Sequence, residues 1–189
     1  MRAIYRLAAE YGWPIPSEEA VKRAMGFETQ EYVKRIFPDM EQSALDIMGP
    51  ILDDGELDEL KFVDDILFDG CKELLEFLKA AGIRMHIVST GSKKHVKTIL
   101  AESGIEKFFD LVSSACSDKR EILHEMTMES GVSGTIMVGD MIKDHVAARE
   151  NGILSVGACY GYCDRHSSGF DLYIDHPLDL LNIFQFKAI

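Results

Sequence analysis

Residues 1–62 carry apolar side chains three and four positions apart, the spacing of one helix face. Ile4, Leu7, Ala8 and Tyr11 share such a face, and Gly12 ends the first helix. Trp13-Pro14-Ile15-Pro16 reads as a rigid connector. Ser17 is suited to cap a second helix, with Glu18 and Glu19 in its first turn. Further helix starts are predicted at Thr29 and at Asp39, where Gln42 lies at capping-box spacing. Phe37-Pro38 separates the two. Gly49-Pro50 and Asp53-Asp54-Gly55 read as turns. Nothing in this region reads as a strand. Its helices are too short for a large core, so the segment is expected to cover something.

From Ile66 onward the pattern changes to short apolar runs alternating with amphipathic stretches. Strands are predicted over 84–89, 109–113, 135–138, 154–158 and 172–174. Helices are predicted over 69–81, 93–103, 119–130 and 178–186, with another after Asp140. The run at 135–138 reads as buried on both faces. Repeated strand–helix units predict an α/β fold, a mostly parallel sheet with helices on both faces. The expected division is a helical domain over 1–62 and an α/β domain over 63–189.

Composition narrows the partners. Apolar content of 47% and charged content of 28% over 189 residues are those of a soluble globular protein. A net charge of −12 sets aside a general nucleic-acid or anionic-membrane binder. No apolar run approaches the length of a membrane-spanning helix. The opening MRAIYRLAAEYG mixes charge into an amphipathic pattern, unlike a secretion signal. Cys71, Cys116, Cys159 and Cys163 form no C-x-x-C pair, so neither a zinc site nor a redox motif is indicated. They are expected to be reduced thiols in a cytoplasmic protein.

Candidate chemistry lies at the carboxyl ends of the predicted strands. Gly139 ends the 135–138 run and Asp140 follows it. In the next helix Ile142 and Val146 share an apolar face, His145, Arg149 and Glu150 are polar, and Asn151-Gly152 is the stop. Asp140 and Asp144 are four apart, near one side of the first turn. A carboxylate pair there suits Mg2+; it equally suits a helix cap and a partner for the helix dipole. Ser89-Thr90-Gly91-Ser92 offers hydroxyls and free amides to an anion such as phosphate, and also reads as an N-cap by Thr90 or Ser92. Lys119 opens a helix, where the dipole disfavours a cation; it reads as a holder of a negative ligand or as a solvated lysine. His86 reads as a core residue, His95, His124 and His145 as surface residues of helices, and His166 and His176 as turn residues. The order is informative. A hydroxyl, a lysine and an acid pair follow successive strands, so Ser89 and Lys119 could hold a phosphoryl group while the acids hold Mg2+.

IVSTGS around Ser89, DKREIL around Lys119 and VGDMIKD with Asp140 and Asp144, followed by GACYGYC, resemble the haloacid dehalogenase superfamily. Within it the sequence is similar to the phosphoglycolate-phosphatase-like and beta-phosphoglucomutase-like branch. The resemblance covers nearly the whole chain and implies an inserted helical cap over residues 1–62. It implies a Mg2+-dependent phosphomonoester hydrolase acting on a small phosphorylated metabolite. Ser89, Thr90, Gly91 and Lys119 would contact phosphate, Asp140 would bind Mg2+ and Asp144 would support it. The family's nucleophile is the first Asp of a DxDGT motif on a strand preceding the cap. No two aspartates of this sequence are spaced D-x-D. Asp53-Asp54-Gly55-Glu56, Asp64-Asp65 and Asp69-Gly70 lack that context. The resemblance therefore implies that this first core strand is absent from the chain, and that the chain is inactive. Two neighbouring strand edges would be left unpaired, so that another segment or an oligomer completes the sheet, the gene product is longer, or the sheet closes up differently. The alternative is a non-catalytic phosphate- and Mg2+-binding regulatory protein. A receiver-like phosphoacceptor also uses acids, a hydroxyl and a lysine, but presents its acids first and has no helical cap.

Overall fold

Helices form wherever the three-and-four spacing is sustained, in a computed structural model of the protein that describes residues 1–116, 118–166 and 168–186. The order begins α1 (Arg2–Tyr11), α2 (Glu18–Ala24), α3 (Thr29–Ile36), α4 (Gln42–Glu59) and α5 (Cys71–Ala80). It continues β1 (His86–Val88), α6 (Lys93–Glu102), β2 (Leu111–Ser113), α7 (Lys119–Ser130), β3 (Ile136–Gly139) and α8 (Ile142–Glu150). It ends β4 (Leu154–Ala158), β5 (Leu172–Ile174) and α9 (Leu180–Phe186). Two units result. One comprises Met1–Ile66, Ser89–Glu106 and Ser114–Ser117, and the other Leu67–Val88, Lys107–Ser113 and Asp118–Ile189.

The first unit buries Ile4, Leu7, Val21, Val33, Leu45 and Leu52 in one core. Ser17 caps α2, its Oγ accepting the Ala20 amide at 3.1 Å. Asp39 does not cap α4, which starts at Gln42 after Glu41. Gly49-Pro50 and Asp53-Asp54-Gly55 are not turns: α4 runs through all five positions. Pro50 leaves the Asp46 carbonyl without its helical donor, and glycine before it avoids the Cβ clash that normally ends a helix at that point. Gly55 is buried where α1 crosses α4. A Cβ there would lie 2.6 Å from Leu7 Cδ1. These breakers are retained because packing on α1 and α3 outweighs the helix propensity they lose.

The second unit holds the strands. β1 pairs with β2, and β3, β4 and β5 pair in that order, all parallel. Among the described residues no ladder joins β1 to β3. β4 is the middle strand of its sheet, with Ser155, Val156, Gly157 and Ala158 buried. β3 alternates. Met137 enters the core with Leu123, Ala147, Ala148 and Ile153, whereas Val138 is 37% exposed. The reading of 135–138 as buried on both faces is therefore corrected: α8 packs against β3 and Leu123 of α7 joins Met137 in the core, while Val138 turns outward.

A polar network ties the second sheet together. Buried Ser155 donates its hydroxyl to Asp171 Oδ2 at 2.7 Å and its amide to the same oxygen at 2.8 Å. His145 Nδ1 lies 2.9 Å from Ser155 Oγ, so the ring is half-buried and bonded rather than a free surface residue. With the hydroxyl proton given to Asp171, the imidazole must donate through Nδ1. The hydroxyl and amide of Ser155 hold the Asp171 carboxyl below its usual range. His86 Nδ1 is buried with no hydrogen-bond partner among the described residues. No helix among them is long and apolar enough to cross a membrane.

Candidate functional site

The turn between β3 and α8 carries both acids, but in different roles. α8 begins at Ile142, so Asp140 lies outside it and Asp144 occupies its first turn. Asp144 turns back to accept the Met141 amide on Oδ2 at 3.1 Å. It is 3% exposed, and Lys119 Nζ lies 2.6 Å from its Oδ1. Gly139 makes room for it: a Cβ there would collide with the Asp144 carboxylate. The expected apolar face of α8 is also corrected. Ile142 and Val146 are exposed, while Asp144, Ala147 and Ala148 face inward. Small alanines let α8 approach the sheet and α7 closely, and the bulkier residues turn out.

Lys119 opens α7, and the cap itself comes from Asp118, whose Oδ1 accepts the Arg120 amide at 2.9 Å. Lys119 is thereby free to reach across to α8. Its ammonium neutralises a carboxylate that would be costly to bury alone.

Asp140 stands at the end of β3, half-buried. Its Oδ2 accepts the Tyr162 amide at 3.0 Å, and Oδ1 takes no hydrogen bond among the described residues. Gly161 lies so close that a Cβ there would strike the carboxylate. Beside it, Tyr160 packs edge-on to Phe68 with ring centroids 4.9 Å apart. Burial pushes the Tyr160 phenol up to about 12, with the negative charge of Cys71, Asp140 and Asp179 adding to the effect.

A divalent ion is implied by the acid pair, and its fit can be judged oxygen by oxygen. Asp140 offers one carboxylate oxygen that takes no donor among the described residues. Both oxygens of Asp144 are occupied, by Lys119 and by Met141. No cluster of three or more His, Cys, Asp or Glu side chains suited to a metal exists among the described residues. This fits Mg2+, which binds through one or two carboxylates and fills its remaining positions with water and phosphate oxygens. It does not fit an ion that needs a full protein cage.

Ser89, Thr90 and Gly91 belong to the first unit, in the loop between β1 and α6. Ser89 Oγ accepts the Gly91 amide at 3.1 Å. Its own hydroxyl proton has no acceptor among the described residues and is available to an anion. Thr90 spends its hydroxyl proton on the Gly26 carbonyl at 3.1 Å. Ser92, not Thr90, caps α6, accepting the His95 amide at 3.0 Å. Ser92 also donates to Asp53 Oδ2 at 2.5 Å, and Asp53 Oδ1 lies 3.4 Å from His95 Nδ1. His95 is therefore engaged with a carboxylate rather than simply solvated. The loop is braced by Ala115, whose amide reaches the Gly91 carbonyl at 2.7 Å from a left-handed backbone of φ 56°. A non-glycine residue held in that region stores strain, which marks the brace as imposed by its surroundings.

Sequence reasoning missed two features. Asp53 looked like part of a turn, and only the continuity of α4 brings it to Ser92. The second feature is the Cys159–Cys163 pair, with sulfurs 3.5 Å apart although the spacing is not C-x-x-C. A C-x-x-x-C run straight after a strand was the available signal. A cleft of about 560 Å3 in the first unit is lined by Lys61, Lys94, Thr98 and Glu102 among others, and both of its lysines are paired. Lys61 is paired with Asp58, and Lys94 with Asp54.

The chain is similar to known proteins. A phosphoglycolate phosphatase of Synechococcus elongatus is 29% identical over 122 residues, covering 61% of this chain and 58% of that protein. The chain thus spans less than two thirds of the length of that relative. A phosphoglycolate phosphatase of Vibrio parahaemolyticus is 29% identical over 197 residues, covering 94% of this chain and 85% of that one. Among solved structures, a predicted phosphoglycolate phosphatase from Haemophilus somnus matches with a TM-score of 0.81 at 23% identity, covering 97% of this chain and 89% of that chain. That likeness establishes the fold. The model of the haloacid dehalogenase-like hydrolases matches residues 1–158, and the chain belongs to that family.

Proposed function

We propose that the protein handles small phosphate monoesters in the manner of a Mg2+-dependent phosphatase of the phosphoglycolate type. The observation that carries this reading is the buried Lys119–Asp144 pair, 2.6 Å apart, set against the turn that bears Asp140. Lys119 supplies a fixed cation and Ser89 a hydroxyl proton for phosphoryl oxygens. Asp140 supplies a carboxylate oxygen to Mg2+, and Asp144 fixes Lys119 and the turn. Mg2+, when bound, neutralises charge on the phosphoryl oxygens. Residues 1–62 act as a cap that selects the ester, and 63–189 as the core that holds its phosphate, in a cytoplasmic protein. The curated relatives support the ester class by their names.

Hydrolysis by this family's route needs an aspartate nucleophile, and the 189 residues hold no D-x-D pair. These residues alone are therefore proposed to bind a phosphate ester with Mg2+ and not to turn it over. The edges of β1 and β3 that pair with nothing among the described residues would accept a strand from a second copy. Calorimetric titration with MgCl2 tests the metal assignment. The unaltered chain takes up one ion, and Asp140→Asn loses affinity at least tenfold; equal affinity in both would remove Asp140 from the role.

A further inference from the structure

Two cysteines flank the loop that grips Asp140. Cys159 follows β4 directly, and Cys163 lies four residues on, beyond Tyr160-Gly161-Tyr162. Both are free thiols and both are half-buried. The Cys159 thiol points at Cys163 Sγ, 3.5 Å away. Cys163 Sγ is also 3.3 Å from Ser168 Oγ, and it sits so close to Gly157 that a Cβ there would lie 2.7 Å from the sulfur. The second sulfur is therefore pinned toward the first by the strand beneath it.

Between them, the Gly161 amide donates to the Ala158 carbonyl at 3.0 Å. The Tyr162 amide donates to Asp140 Oδ2 at 3.0 Å, with Gly161 packed tightly on the same carboxylate. We infer that Cys159 and Cys163 form a reversible dithiol–disulfide couple that controls how the 160–162 loop holds Asp140. A disulfide needs its sulfurs about 2.05 Å apart. Closing from 3.5 Å therefore shortens a loop that has no slack against Asp140.

The oxidant class is a low-molecular-weight disulfide, such as oxidised glutathione. One cysteine, as thiolate, attacks the glutathione disulfide. A protein–glutathione bond forms, and one glutathione thiolate leaves and takes a proton. The second cysteine loses its proton and attacks the bound protein sulfur, expelling the second glutathione. The balance is two protein thiols and one glutathione disulfide giving one protein disulfide and two glutathione thiols. Burial and the adjacent Cys163 sulfur push the Cys159 thiol up, which favours Cys163 as the first attacker. Half-exposed pairs of this kind are the labile ones in a reducing compartment.

The consequence for Mg2+ rests on the reading of Asp140 given above; the disulfide and the loop change do not. The test equilibrates the full chain with excess oxidised glutathione, then counts thiols and maps the linked peptide by mass. Four thiols fall to two, with Cys159 joined to Cys163, and dithiothreitol restores all four. Cys159→Ser and Cys163→Ser each stop at a glutathione adduct. Amide exchange at Tyr162, followed by NMR, becomes at least tenfold faster on oxidation. Mg2+ affinity measured on the same two samples differs by a similar factor. Retention of four thiols, or pairing through Cys71 or Cys116, overturns the couple. Unchanged Tyr162 exchange in a confirmed disulfide overturns its control of the loop. Absence of Mg2+ binding in the reduced chain instead refutes the metal assignment, and leaves the exchange result to judge the couple.

Discussion

Asp144 shows how one residue can serve as cap and as ion-pair partner at once. One oxygen closes the first turn of α8 and the other receives Lys119. Removing the cation alone leaves a carboxylate that is 3% exposed without its partner. Lys119→Met should therefore cost about 3 kcal/mol of stability. Lys119→Met combined with Asp144→Leu should recover part of that loss, because no unpaired charge then stays buried. Urea unfolding of the single and double variants measures both; equal losses would mean that packing, not desolvation, sets the cost. In the sequence, Lys119 and Asp144 were legible as polar residues after successive strands. Their pairing was not, since it depends on α7 and α8 lying side by side. The hydroxyl at Ser89 was legible for the same positional reason. Its free proton emerges only once Gly91 is seen to donate to its oxygen.

At the scale of elements, the strands were readable because each is a short apolar run closed by a polar or glycine residue. β4 and β5 fall where the pattern placed them, and β1, β2 and β3 differ by only a residue or two at their ends. Helix α4 was misread because Gly49-Pro50 and Gly55 carry strong local turn signals, and the packing that overrides them is non-local. Gly55→Val places a branched side chain against Leu7 and should cost about 2 kcal/mol. Ile47→Ala, on an exposed position of the same helix, should stay within about 0.5 kcal/mol of the unaltered chain. Thermal unfolding of the two variants checks the contrast. Glu56, on the same helix, adds a pH dependence. Burial raises its carboxyl above the ordinary value, partly offset by His95 and the amino terminus. Its folded form thus prefers the proton, and any stability this confers is complete below the unfolded pKa of about 4.5 and lost as pH rises through the folded value. Glu56→Gln should raise the urea midpoint at pH 7 and leave it unchanged at pH 4. The opposite pattern would show that the carboxylate is better satisfied than its burial indicates.

For the whole molecule, family membership, the order of Ser89, Lys119, Asp140 and Asp144, and a net charge of −12 have to be reconciled. An acidic chain repels phosphate unless cations are held locally, and Lys119 together with a divalent ion on Asp140 is the arrangement that would do so. The α/β class was legible from the alternation of strands and helices. Helical content alone could not reveal that β1–β2 and β3–β4–β5 form separate ladders. That follows from which edges are paired, and pairing leaves no local mark in sequence.

The most direct measurement is a 31P NMR titration of 2-phosphoglycolate with the 189-residue chain, with and without Mg2+. The account predicts a shifted or broadened ester resonance that requires Mg2+, weakens with Lys119→Ala, and shows no growth of orthophosphate. An unperturbed ester resonance at saturating protein would contradict phosphate binding by these residues. Catalytic release of orthophosphate would contradict the claim that they position phosphate without supplying the nucleophile.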